Sequence, residues 1–197
     1  MSSTNRGAER NKEDYYVTPH WLVREFLESI DYGGPKCKTI LDLGERILDP
    51  SAGGCEKYEM SYPTVLNQFN FDVETWDIRE DSRAARTGVD FLQAEGKGEY
   101  DTVITNPSFI LATQFVEKGL EHVRERGLVI MLQRLNWLGS IKRFEFWGKQ
   151  PLQSVFVHHK RPGFDPENPN KTDSIEYAHF VFRKGYNNLF APNLYII

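Results

Sequence analysis

Cysteine is nearly absent from this 197-residue chain: Cys37 and Cys55 are the two it has. That count indicates neither a disulfide framework nor a cysteine-built zinc cluster. Long apolar runs are missing as well. No stretch approaches the length of a membrane span, and the polar N-terminus lacks the apolar core of a signal peptide, so a cytoplasmic location is expected. The histidines offer no metal site. His158 and His159 are adjacent and point to opposite faces of a strand, His179 falls in another strand, and His20 and His122 lack ligand-spaced neighbours. Positive charge is not in excess: 24 Lys and Arg against 28 Asp and Glu leave a net charge of -4, which argues mildly against a strong nucleic-acid binder. There are no repeats, linkers or second core. The length then implies one domain, residues 13–197, behind a flexible polar tail at residues 1–12.

What is present centres on Tyr100-Asp-Thr-Val-Ile-Thr-Asn106-Pro107-Ser108-Phe109. Val103 and Ile104 give a buried strand β-branched bulk, and Pro107, with no N–H to donate, ends its ladder. An amide at a strand's carboxyl end, then proline and an aromatic, suits gripping a flat ligand that bears an NH2 group. Asn106 Oδ1 and the Pro107 carbonyl can each accept one hydrogen of that amine while Phe109 stacks on the ring. An ordinary Asn-Pro turn is the plainer alternative.

Upstream, Thr18 reads as a helix N-cap with Pro19 at the first helical position, and Trp21, Leu22, Phe26, Leu27 and Ile30 follow at helical spacing. Ile47 and Leu48 end a strand that runs into Asp49-Pro50-Ser-Ala-Gly53-Gly54-Cys55. Its small residues allow the tight turn at which nucleoside-like ligands bind in α/β sheets. A phosphate loop is excluded because no Gly-Lys-Ser/Thr ending follows. Val73 to Ile78 alternates as a strand and ends near Asp77, an acid placed to accept from ribose hydroxyls, with Glu80 and Asp81 as substitutes. Asp90 and Phe91 mark a further short strand. Strands are expected near residues 47, 75, 90, 103, 130, 156 and 180, with helical spacing after Phe109 through Leu111, Phe115, Val116, Leu120 and Val123.

These stretches, in this order, resemble the amino-methyltransferases that carry an Asn-Pro-Pro-Phe/Tyr motif, and above all the compact, phage-like DNA adenine-N6 methyltransferases. The resemblance implies a Rossmann-like, seven-stranded α/β sheet whose last pair is antiparallel, with a small target-recognition insertion. It implies S-adenosylmethionine (SAM) as cofactor, bound by Tyr15 and Thr18 of a Tyr-x-Thr-Pro block and by Asp49, Pro50, Gly53 and Gly54 of an Asp-Pro-x-x-Gly-Gly turn. Asp77 would serve the ribose, and Asp90 and Phe91 the adenine. Asn106, Pro107, Ser108 and Phe109 are the implied catalytic residues. Two positions depart from the pattern: Ser108 replaces the second proline, which would have held the Pro107 backbone extended, and Cys55 replaces a third small residue.

Between the fifth and sixth strands, residues 134 to 161 carry Arg134, Lys142, Arg143, Lys149, Lys160 and Arg161 against the single acid Glu145. Interleaved with Trp137, Phe144, Phe146 and Trp147, this is the composition of phosphate contacts with stacking or wedge residues, or else of a helix whose rings pack on the sheet. Recognition segments are expected at about 134–153 and 159–176, with Arg134, Trp137, Lys142, Arg143 and Lys149 as substrate contacts. DNA with a flipped adenine is the expected partner. RNA adenine, a protein glutamine or a non-catalytic binding role are the rivals. So short a reader would need a homodimer partner or have little sequence specificity. For a phage-encoded protein the compartment would be the host cytoplasm.

Overall fold

The computed structural model describes residues 16–31, 33–168, 170–187 and 191–197. Its core is a seven-stranded sheet of β1 (Ile47–Asp49), β2 (Val73–Thr75), β3 (Tyr100–Thr105), β4 (Val123–Arg134), β5 (Leu152–Val157), β6 (Tyr177–Arg183) and β7 (Asn193–Ile196), in the order β2-β1-β3-β4-β6-β5-β7. Strands β1 to β4 pair in parallel, β6 runs antiparallel between β4 and β5, and β7 lies parallel to β5 at the far edge. This is the Rossmann-like sheet of the SAM-dependent methyltransferase fold.

The apolar run Gly127 to Leu132 is buried throughout because helices cover both faces of the sheet. The period of two sorts its side chains. Val129 and Met131 join Val103, Phe180 and Phe182 beneath α3 (Ala112–His122). Leu128 and Ile130 join Ile104, Phe156 and Val181 beneath α1 (His20–Ile30) and α2 (Ser61–Gln68). The β4–β5 connection folds as two 3₁₀ turns, Leu135–Leu138 and Ile141–Arg143, and a short α4 (Phe144–Lys149).

Three expectations change. The strand expected near residue 90 is a turn. Residues 86 to 89 run beside the end of β2 without forming a strand: Trp76 and Arg86 make one bridge, Gly88 (φ +66) breaks the extended backbone, and the Val89 N–H donates to the Asp77 carbonyl. The Asp90 carboxylate then accepts the Leu92 N–H, and its carbonyl accepts those of Gln93 and Ala94. The seventh strand is instead β7, which stacks Tyr195 on Phe156 and leaves Leu194 and Ile196 exposed. Thr18 does not cap α1. Pro19, with extended ψ of 131°, occupies the cap position, and the Thr18 side chain turns inward to a different partner.

Candidate active site

Strand order places the site. The chain leaves β1 toward β2 on one side and returns as β3 on the other, opening a crevice at the carboxyl ends of β1 and β3. A cavity of about 620 Å³ fills it, within the size range of small-molecule sites. Thr18, Gly53, Asp77, Asp90, Asn106 and Phe109 all line it, although they come from five separate stretches of sequence. Pro50, Gly54, Phe91, Pro107 and Ser108 line it as well. Tyr15 lies outside the described residues, and its neighbour Tyr16 lines the cavity.

The loop after β1 is held open by side chains from the β2 end. Gly53 and Gly54 both adopt positive φ (+69 and +73), and a Cβ on Gly54 would stand 2.9 Å from Met60 Cγ, so the turn requires glycine there. The buried Asp77 carboxylate accepts the Gly53 N–H at 2.8 Å and the Arg79 N–H at 2.8 Å. Arg79 donates to the Gly54 carbonyl and Ser82 to that of Gly53. Asp77 is therefore first a brace for the glycine turn. Asp49 is fully enclosed below it. Burial pushes its carboxyl up to about 7, Asp77 adds to the rise, and the Thr105 hydroxyl and the Ser51 N–H oppose it. Its Oδ2 has no hydrogen-bond partner among the described residues.

Asn106 is the site's most informative side chain. Its Nδ2 donates to Thr18 Oγ1 at 2.9 Å, which leaves Oδ1 facing the other way. Its Oδ1 is buried and accepts nothing from the described residues. A buried amide oxygen without a donor costs on the order of 1–3 kcal/mol, a cost that an N–H or O–H brought to it would relieve. Pro107 is buried next to it, and Leu111 N–H to Ser108 carbonyl (3.0 Å) closes the following turn. The Phe109 ring is held from behind. The Arg134 guanidinium lies 5.1 Å from its centroid, and Tyr177, which also accepts from Arg134 Nε, tilts against it at 5.9 Å. Phe91 is largely a core residue, packed on Phe115 and His122, while Asp90 is exposed at the rim.

The expected substrate residues divide. Arg134 reaches the site through Phe109. Lys142 and Arg143 line a second cleft of about 330 Å³ that shares Phe109 and Ile110 with the main cavity. Arg143 also holds its own turn, donating to the Trp137 and Gly139 carbonyls. Trp137 lines the same cleft, but it is 5% exposed and packs edge-on against Phe180 and Trp147, so most of its ring belongs to the core. Lys149 is exposed on α4 and pairs with Glu145, away from both cavities. Sequence reasoning did not find Tyr16, Tyr62 or Arg79, all of which line the main cavity; no local motif marks them.

No protein-family model matches the sequence, and no curated protein matches it. Solved structures resemble the fold. A Listeria monocytogenes protein assigned to the class I SAM-dependent methyltransferases matches at TM-score 0.57 and 15% identity, over 92% of this chain and 65% of its own. The modification subunit assigned to a type I restriction enzyme of Vibrio vulnificus YJ016 matches at TM-score 0.60 and 15% identity, over 93% and 47%. A SAM-dependent O-methyltransferase of Thermotoga maritima matches at TM-score 0.50 and 15% identity, over 73% and 61%. The chain thus spans less than two thirds of each of these proteins. At such identities they establish the fold and leave the substrate to the site itself.

Proposed function

We propose that this chain is a SAM-dependent methyltransferase that acts on the exocyclic N6 amine of adenine in DNA. One observation carries the reading: the buried, unpartnered Oδ1 of Asn106, aimed by the Thr18 contact on the other end of the same amide. An acceptor fixed in that way recognises an N–H, and the adjoining Pro107 carbonyl offers a second acceptor for an NH2 group. The Phe109 ring, backed by Arg134 and Tyr177, supplies a face for a planar base.

SAM suits the other half of the cavity. The Gly53-Gly54 turn lets a ligand approach the backbone, Asp77 offers a buried carboxylate and Asp90 one at the rim, and Phe91 and Val89 add apolar wall. Bound there, SAM would supply an electrophilic methyl group. Asn106 and Pro107 would hold the amine so that its lone pair points at that carbon, and would stabilise the charge that develops on nitrogen; no covalent intermediate with the enzyme is needed. A base reaches such a pocket by leaving its stack. A nucleic acid suits the mouth better than a protein acceptor: Ile110 and Lys142 line the adjoining cleft, and the exposed Ile141 (98%) and Phe144 (80%) flank Lys142 and Arg143 in the chain, apolar wedges next to cations.

The test is transfer of labelled methyl from SAM to mixed-sequence duplex DNA, with RNA and protein extract in parallel, followed by nucleoside analysis. N6-methyladenine in DNA is the expected product; label confined to another lane refutes the substrate. Asn106→Ala is expected to lower transfer by about 100- to 1,000-fold while SAM binding persists. Equal loss of binding would refute the assigned role.

A further inference from the structure

Four side chains that the proposed reaction does not use connect the wall of the cavity to the protein surface. Tyr62, which lines the cavity, lies 2.8 Å from His179 Nε2. His179 Nδ1 is 2.8 Å from His158 Nε2, and His158 Nδ1 is 2.6 Å from Glu25 Oε2. Tyr62, His158 and His179 are buried; Glu25 is part-exposed on α1. The chain crosses from α2 through β6 and the end of β5 to α1. Tyr62 and Glu25 terminate it at opposite ends.

Hydrogen-bond logic fixes its resting arrangement. Burial alone would raise the Glu25 carboxyl, but the His158 N–H and the charges of His158, His159 and Lys36 outweigh it and hold it below the usual range. Glu25 is therefore an acceptor, so His158 carries its proton on Nδ1 and accepts at Nε2. His179 must then donate from Nδ1 and accept at Nε2, and Tyr62 donates to it. Burial keeps both imidazoles below their usual range, with Glu25 pulling His158 the other way and His158 adding to the effect on His179. The charged and titratable groups facing the chain are Glu25 and, beside it, His159 (3.7 Å) and Lys36, Lys160 above the Trp21 ring that edges His158, and Asp49 near Tyr62. The Phe26 ring covers His179 at 4.3 Å and keeps water from it.

We infer that Glu25, His158, His179 and Tyr62 are positioning residues forming one reversible chain, through which a single proton taken up between α1 and β5 changes the hydroxyl presented to the cavity and so the affinity for a cationic ligand there. One added proton makes His158 an imidazolium that donates from Nδ1 to Glu25 and from Nε2 to His179. His179 then accepts at Nδ1 and donates from Nε2, and Tyr62 becomes the acceptor. Its own hydrogen leaves the chain for the cavity side. All three bonds are kept and the two made by His179 reverse, at the cost of one proton from water. A cation in the cavity opposes that state, so binding of such a ligand weakens on the acid side.

This inference rests on the proposed SAM site for its ligand but not for the chain itself, and the experiment separates the two. Nitrogen-15 imidazole spectra of the ligand-free protein are expected to show both histidines protonated on Nδ1 at about pH 8. On acidification His179 should move its proton to Nε2 in the same step that makes His158 cationic. Glu25→Gln keeps an acceptor but removes the charge, and should displace that step to lower pH by about one unit or more. Calorimetric titration with SAM should show affinity falling about tenfold per pH unit below the step, the slope of one linked proton, with the profile displaced in Glu25→Gln. A His179 proton that stays on Nδ1, separate titration of the two rings, or an unmoved step in Glu25→Gln would overturn the chain. SAM affinity flat across an observed step would overturn its coupling to the cavity. Absence of SAM binding at every pH would remove the ligand half together with the proposed function, and the spectra alone would then decide the chain.

Discussion

Asn106 and Asp49 end adjacent strands and present opposite chemistry: an amide oxygen that lacks a donor among the described residues, and a carboxyl that burial keeps protonated up to about pH 7. For Asp49 the sign is fixed by a folded-state pKa of about 7 against an ordinary 3.8. The protonated form is the one the fold tolerates, so stability is fully present below about pH 4, declines as the pH rises toward 7, and is then flat. The span corresponds to about 4 kcal/mol at most. Asp49→Asn should remove that slope: thermal midpoints of variant and parent should match near pH 4.5 and favour the variant at pH 8. A parent whose stability does not fall over this range would contradict the burial argument. Ser108 gives a second test. Proline at this position restricts the residue before it to extended backbone, which would stiffen the Pro107 carbonyl. Ser108→Pro should raise methyl transfer a few-fold, and an unchanged rate would mean that the carbonyl is already firmly placed by the Ser108–Leu111 turn.

At the scale of elements, the insertion between β4 and β5 has two faces with separate duties. Trp137, Phe146 and Trp147 pack on Phe180 and Phe182, while Ile141 and Phe144 project into solvent. Trp137→Ala should cost about 3–5 kcal/mol of stability by denaturant unfolding. Phe144→Ser should cost less than about 0.5 kcal/mol yet weaken DNA binding. Similar losses of stability in both variants would contradict this division. Composition alone could not separate the rings, because a 3₁₀ turn and a six-residue helix carry too little periodicity to assign faces. The motif loops were legible for the opposite reason. Gly53-Gly54 and Pro107 set their own backbone conformation, which is local, whereas the Thr18 contact that turns the Asn106 amide spans 88 residues and has no sequence signal. The turn at Asp90 was misread as a strand because a side-chain oxygen took the N–H that a ladder would need. β7 was missed because Leu-Tyr-Ile-Ile has no polar alternation, its outward side being apolar too. The histidine chain was invisible for want of any sequence signal: its three contacts join residues 117, 21 and 133 positions apart.

For the whole molecule, a net charge of -4 coexists with a basic stretch beside the cavities. Binding to duplex DNA should therefore be salt-dependent, and Lys142→Ala should reduce the slope of log K against log salt by about 0.9 if that ammonium meets a phosphate. An unchanged slope would remove Lys142 from the contact surface. Among the described residues no helix is long and apolar enough to cross a membrane. The interleaving of β6 between β4 and β5 has a further result for how the chain is made. Val23, Phe26, Leu27 and Ile30 of α1 close a layer whose other members include Phe156, Val181 and Ile197. During synthesis that helix precedes the strand bearing Val181 by about 150 residues, on the order of ten seconds of ribosome time. Until then its apolar stripe has no complete seat, and Thr18 has nothing to hold it against Asn106. The amide that defines the site is thus aimed only after the strands remotest from it in the sequence have been laid down.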